Sequence, residues 1–173
     1  MKTMLIAGCA ALILTASLAI ANEEGTAKKN TPEFERMKSL VGTWKGKTDM
    51  GQGEVDITIH YRLLAGGSVL EERVFEGTPN EMITMYYDQN GKLALTHYCM
   101  LGNRPAMTLK SADAKTIKFD FDKSCGIDPK KESHMHGMVI TFDDADTFTT
   151  SCKAIIDGKD VPDHATTLKR VKE

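Results

Sequence analysis

The chain has 173 residues, a formal net charge of −2 and 41% apolar residues. This length suits one domain that buries its own core. Lysine and arginine do not cluster in a basic stripe, so the composition argues against nucleic-acid binding. Glycine and proline are too few for a disordered chain.

Residues 1–21 are typical of a signal peptide. Lys2 supplies a positive charge, an apolar run follows from Met4, and Ala19-Ile20-Ala21 matches an A-x-A cleavage site. We therefore expect cleavage after Ala21, a periplasmic or secreted protein, and no stable membrane span after cleavage. Two alternatives stay open: an uncleaved membrane anchor, and a lipoprotein modified at Cys9.

Residues 22–30 are polar and aperiodic, which predicts a flexible leader before a single domain over 31–173. A short helix should follow the leader, because Thr31 is a good N-cap and Pro32 is favoured at the first helical position. Apolar residues at helical spacing form one stripe, and Gly42 ends the helix. The stripe consists of Phe34, Met37, Leu40 and Val41.

The rest of the chain predicts β-strands, since turn signals recur about every ten residues and apolar residues alternate between them. Ten strands are predicted, near 42–49, 53–63, 68–76, 81–88, 92–100, 106–111, 116–122, 134–142, 147–155 and 160–171. Ten strands in sequence leave two unpaired edges unless the sheet closes. We therefore predict an all-β fold, a ten-stranded up-and-down antiparallel β-barrel with the short N-terminal helix closing one end.

A Gly-x-Trp motif, Gly42-Thr43-Trp44, follows the helix, and Arg170 lies near the end of the last strand. This pairing resembles the calycin superfamily, which contains lipocalins, fatty-acid-binding proteins and nitrobindin-like haem barrels. The resemblance implies that Trp44 packs at the closed barrel end with Arg170 over it. Residues 96–107 and His134-Met135-His136 also resemble exported bacterial proteins of unknown function, a likeness that implies no activity.

In an up-and-down meander, alternate turns lie at the same end of the barrel, so most histidines and cysteines fall near the end opposite the helix. The alternation of side chains along each strand places most of these histidines and cysteines on the inner face of the barrel. The candidate ligand-binding residues are His97, Cys99, Met107, Phe119, His134, His136, Met138 and Cys152. A tight final turn would point His164 outward, whereas a bulge would set it opposite Cys152 and point both inward.

Three functions remain open from the sequence. The first is a barrel that binds a small apolar or amphipathic molecule at its open end. The second is a haem- or metal-binding barrel that uses His134, His136 and His164. The third is a structural or interaction module with a filled barrel. The chain lacks a Gly-x-Ser-x-Gly, Walker A or His-Glu-x-x-His motif, which favours a binding protein over an enzyme.

The long loop over 123–133 is a candidate lid, because loops of this length are often functional. This loop carries Cys125. A disulfide from Cys125 to Cys99 or Cys152 would require the loop to fold over the mouth of the barrel. The sequence leaves that pairing open.

Overall fold

The computed structural model describes residues 29–49 and 53–172. The predicted signal peptide, residues 1–21, and most of the predicted leader lie outside these ranges. Within the described chain, no helix is long and apolar enough to cross a membrane.

Ten antiparallel strands form a closed barrel in which each strand pairs with the next and the last pairs with the first. The strands are β1 (Gly42–Asp49), β2 (Glu54–Leu64), β3 (Val69–Val74), β4 (Met82–Gln89), β5 (Lys92–Tyr98), β6 (Ala106–Ala112), β7 (Thr116–Phe121), β8 (His134–Phe142), β9 (Thr147–Ile156) and β10 (Lys159–Arg170). The predicted fold is confirmed. The largest differences in length are at β3, predicted over 68–76, and β5, predicted over 92–100.

The N-terminal helix α1 (Pro32–Met37) continues as a 3-10 turn over Lys38–Leu40 and closes one end of the barrel. Thr31 caps it, since its hydroxyl accepts a hydrogen bond from the Phe34 amide. The Thr31 amide and hydroxyl both donate to the carboxylate of Asp88 in β4, at 2.6 and 2.7 Å. Three side chains from the predicted stripe are buried in the barrel core: Phe34, Met37 and Leu40.

At this closed end, Trp44 lies beneath Arg170. The indole Nε1 donates to the Leu40 carbonyl at 2.7 Å, and the Arg170 guanidinium lies 4.2 Å from the indole ring centre. Arg170 also donates to the carbonyls of Val41 and Ser39. These bonds join the last strand to the segment that follows the helix.

The barrel closes along a seam between β1 and β10, where Trp44 lies opposite Arg170, Lys45 opposite Lys169 and Gly46 opposite Leu168. Gly46 permits a close approach, because a Cβ there would lie 2.3 Å from the carbonyl oxygen of Thr167. Farther along the seam, the buried hydroxyl of Thr166 donates to that of Thr48 at 2.8 Å.

Large side chains fill the barrel from the helix toward its middle. Trp44 meets Phe148 edge to face at 4.7 Å between ring centres. The residues packed within the strands include Ile59, Tyr61, Leu70, Tyr86, Leu93, Leu95, Met107, Ile117, Phe119, Met138, Ile140 and Leu168. Because the helix closes one end and the middle is filled, a ligand that enters the barrel has to do so at the end opposite the helix, which we call the open end.

Candidate functional site

The open end carries most of the exposed large apolar side chains of the described chain. Five of the eight lie there: Val55, Tyr98, Met100, Leu101 and Ile156. Val55 alternates with buried Ile57, and Ile156 alternates with Cys152, so both occupy inner-face positions at the rim. Cys152, Met82 and Phe75 are partly buried and pack against the core below. The rim therefore carries accessible apolar side chains, together with Lys159, which lies opposite Ile156.

Below this rim lies a buried polar cluster centred on the carboxylate of Glu72 in β3. Its Oε2 accepts from the hydroxyls of Tyr61 at 2.5 Å and Tyr86 at 2.8 Å, and its Oε1 accepts from Thr84 at 3.0 Å. The strand register explains the grouping, because Tyr61 lies opposite Glu72, Glu72 opposite Thr84 and Thr84 opposite His97. Residues opposite one another share a face of the sheet.

Burial raises the pKa of Glu72, whereas the three hydrogen bonds that it accepts act in the opposite direction. Burial and the neighbouring Glu72 charge raise the pKa of Tyr61 and of Tyr86 well above the usual range. Both tyrosines therefore remain hydroxyl donors. Their single protons are used on Glu72, so neither offers a free donor to a ligand.

His97 ends this chain of hydrogen bonds, with Nδ1 2.9 Å from the Thr84 hydroxyl. Thr84 gives its one proton to Glu72, so His97 Nδ1 carries the proton that Thr84 accepts, and Nε2 is a bare acceptor. Burial lowers the pKa of His97 to about 4, which keeps the ring neutral. Nε2 has no hydrogen-bond partner among the described residues. Nε2 is also not one of the fully buried side-chain atoms without a partner, of which Asn103 Oδ1 is the one found in the described ranges, so it keeps some contact with solvent.

The thiols of Cys99 and Cys152 are not activated. Burial raises the pKa of Cys152 to about 12, with further contributions from Glu72 and Cys99, and burial also raises the pKa of Cys99. A nucleophilic cysteine needs the opposite shift. Cys99, Cys125 and Cys152 are free thiols.

His134 and His136 form a separate cluster with Phe121. A register shift in β8 between Met135 and Gly137 interrupts the alternation on which the sequence prediction relied, and Met135 joins the core. His134 Nδ1 donates to the Glu132 carbonyl at 2.6 Å, and His134 Nε2 lies 2.9 Å from His136 Nδ1.

Both rings of this pair contact the Phe121 ring, with centres 4.7 and 5.0 Å apart. The pKa of His136 is lowered, chiefly by burial and then by the His134 charge. Both ring nitrogens of His134 are engaged, so neither is free to bind a metal in this arrangement. No group of three or more histidine, cysteine or acidic side chains in the described ranges is placed to hold a metal ion.

His164 takes the second of its two predicted positions. The register of β10 shifts between Val161 and His164, which sets His164 opposite Cys152. It alternates with buried Thr166 and Leu168, so it occupies an inner-face position, and its side chain is exposed at the mouth.

Three further predicted residues line the core below the mouth. Met107, Phe119 and Met138 are buried, and Met138 Sδ lies 3.3 Å from the Tyr86 hydroxyl. Four members of the buried polar cluster are not among the residues predicted from the sequence: Glu72, Tyr61, Tyr86 and Thr84. Alternation could have found Glu72, because it lies between Leu70 and Val74 on the inner face.

No family model matches the chain, and no curated protein matches it. Among solved structures, Rv2717c from M. tuberculosis is similar at 16% identity and a TM-score of 0.52, over 83% of this chain and 100% of that chain. A protein with unknown function from the DUF3598 family of Nostoc punctiforme matches at 14% identity and a TM-score of 0.43, over 78% of this chain and 48% of that chain. The similarity to Rv2717c supports the fold alone: this chain is a closed antiparallel β-barrel.

Proposed function

We propose that the protein binds a small apolar or amphipathic molecule in the open end of the barrel. The observation that carries this proposal is the apolar rim, where Val55 and Ile156 lie exposed on the inner face above a buried polar cluster. Mouths of barrels that combine an apolar wall with a few polar groups are common ligand sites. The packed core limits the ligand to a small molecule or to one end of a longer one.

We also propose that this barrel is a calycin and that it is exported. The position of Trp44 beneath Arg170, just after a Gly-x-Trp motif, supports the calycin assignment. The A-x-A site at Ala19–Ala21 supports export. Mass spectrometry of the protein recovered from the periplasm or medium tests this part, since we expect a mature chain that begins at Asn22.

Two matched substitutions on one strand test the binding site. Val55 and Leu63 both belong to β2, share the inner-face alternation, and are 44% and 40% exposed, but they lie at opposite ends of the barrel. We expect Val55→Glu to weaken binding of the fluorescent apolar probe N-phenyl-1-naphthylamine by more than about tenfold, because an unpaired carboxylate at an apolar site is costly. Leu63→Glu should leave it within about twofold. Equal effects, or no probe binding to the unmodified protein, would contradict the proposal and favour a module with a filled barrel.

A second candidate function, haem binding, is favoured by the position of His164. Its exposed imidazole occupies an inner-face position at the mouth, where it fits the role of a haem ligand. Titration with haemin, followed by the Soret absorption band, tests this function. A shifted band that is lost in His164→Ala and kept in His134→Ala/His136→Ala would support it, whereas an unshifted band would refute it.

A further inference from the structure

We propose that the molecule bound at the open end carries an uncharged hydroxyl group, which donates a hydrogen bond to Nε2 of His97. This inference rests on the ligand-binding function proposed above. It specifies the class of ligand, an amphipathic alcohol, and excludes a fatty acid.

The position of His97 supports this assignment. It is the last inner-face residue of β5, and the next position on that face, Cys99, is at the rim turn. The polar group of a molecule inserted through the apolar rim would therefore meet His97 just below the rim. Nε2 keeps some contact with solvent and is therefore within reach of such a group.

The direction of the hydrogen bonds determines what His97 can recognise. Glu72 accepts from Thr84, and Thr84 accepts from His97 Nδ1, so the proton on the imidazole is held on the side away from Nε2. Nε2 can then only accept. Since Tyr61 and Tyr86 already donate to Glu72, the cluster offers a ligand an acceptor and no free hydroxyl donor.

The charges near the site disfavour an anionic head group. Glu72 is the buried acid at its centre, and Asp163 lies close enough to Cys152 to raise the pKa of that thiol. Below the rim, inner-face positions of the described strands carry no lysine or arginine apart from Arg170 at the closed end, and Lys159, which lies opposite Ile156, is exposed at the rim itself. A carboxylate buried beside His97 would meet an acceptor, no free hydroxyl donor and no lysine or arginine at that depth, which is costly.

A matched series of C10 ligands tests the inference: decanol, 1-methoxydecane, decanoate and decylamine, each titrated by displacement of N-phenyl-1-naphthylamine from the unmodified protein. We expect decanol to bind about fivefold more tightly than 1-methoxydecane, which lacks the donor, and more than about tenfold more tightly than decanoate. Equal affinities for decanol and the ether, or tighter binding of decanoate or decylamine, would overturn the assignment. If none of the four displaces the probe, the proposed function fails as well.

Two variants connect the preference to the residues. His97→Leu should reduce the ratio of decanol affinity to ether affinity to about one, because the acceptor is removed. Glu72→Gln should improve decanoate binding, because a negative charge is removed from the site. His60→Leu is the control: His60 is bonded to Thr43 and lies near Glu76 outside this cluster, so the ratio should stay unchanged. A preserved ratio in His97→Leu would overturn the proposal, and if that variant fails to fold, the ligand series on the unmodified protein still decides it.

Discussion

Replacing Trp44 with phenylalanine should strongly destabilise the closed end of the barrel. The indole is 1% exposed, donates to the Leu40 carbonyl at 2.7 Å, packs on Phe148 and lies under Arg170. Phenylalanine keeps part of the aromatic packing and removes the indole N–H. The substitution therefore tests whether the Gly-x-Trp motif stabilises the junction of helix and barrel.

Three losses contribute to the expected magnitude. Leaving the Leu40 carbonyl without its partner in a buried place costs about 1–3 kcal/mol. The smaller ring leaves part of the indole volume empty, which adds about 1 kcal/mol. The weaker attraction of Arg170 to a phenyl ring adds roughly 0.5 kcal/mol. Together we expect the free energy of unfolding to fall by about 3 kcal/mol, a large share of a typical domain's stability.

Urea denaturation followed by far-ultraviolet circular dichroism measures this loss, and fluorescence is unsuitable because Trp44 is the only tryptophan. Tyr98→Phe is the control, since Tyr98 is half-exposed at the rim and should change the free energy by less than about 0.5 kcal/mol. A loss below about 1 kcal/mol in Trp44→Phe would refute this reasoning, because the hydrogen bond alone accounts for that much.

Three further predictions concern stability. Gly46→Ala should lower the free energy of unfolding by about 1–3 kcal/mol, because the added methyl meets the Thr167 carbonyl oxygen; unchanged urea midpoints would show that the seam can widen. Asp88→Ala should lower the thermal unfolding midpoint, because it removes the carboxylate that accepts both hydrogen bonds from Thr31. An unchanged midpoint in calorimetry would show that these two hydrogen bonds do not contribute to stability. Burial raises the pKa of Glu72 in the folded state above its usual 4.5. Protonation of Glu72 therefore stabilises the fold fully below pH 4.5, and this stabilisation is lost as the pH rises through the folded-state pKa. The stability of the unmodified protein relative to Glu72→Gln should therefore fall as pH rises above 4.5, and a difference that is constant with pH in urea titrations would contradict the assignment.

The alternation of apolar residues was sufficient to predict the strands and the closed barrel. It works because side chains that point into the barrel alternate with side chains that point outward, so a period of two is visible in strands such as β2 and β7. The helix was predicted from its cap and its stripe, both local features. Barrel closure followed from the absence of any other partner for the two edge strands.

The candidate site was less predictable because it depends on bulges and on diagonal contacts between neighbouring strands. The shift in β8 places Met135 in the core, and no residue pattern near it marks that extra position. The hydrogen bond from Tyr86 to Glu72 joins β4 to β3, but the register of these strands sets Tyr86 opposite Leu70 and not opposite Glu72. Glu72 itself lies in an adjacent pair of glutamates, and Glu71, bonded by Arg62 and Arg73, takes the outer face.

The seam between β1 and β10 has a consequence for the order of folding. Each other strand pair joins neighbours along the chain, which can form as hairpins while the rest is still unfolded. The seam joins segments as distant as Val41 and Arg170, 129 positions apart, and it sets Lys45 opposite Lys169, a repulsive pair. The barrel therefore closes last, only after the final strand has been synthesised, and a chain cut before β10 retains two open edges that can pair with other chains.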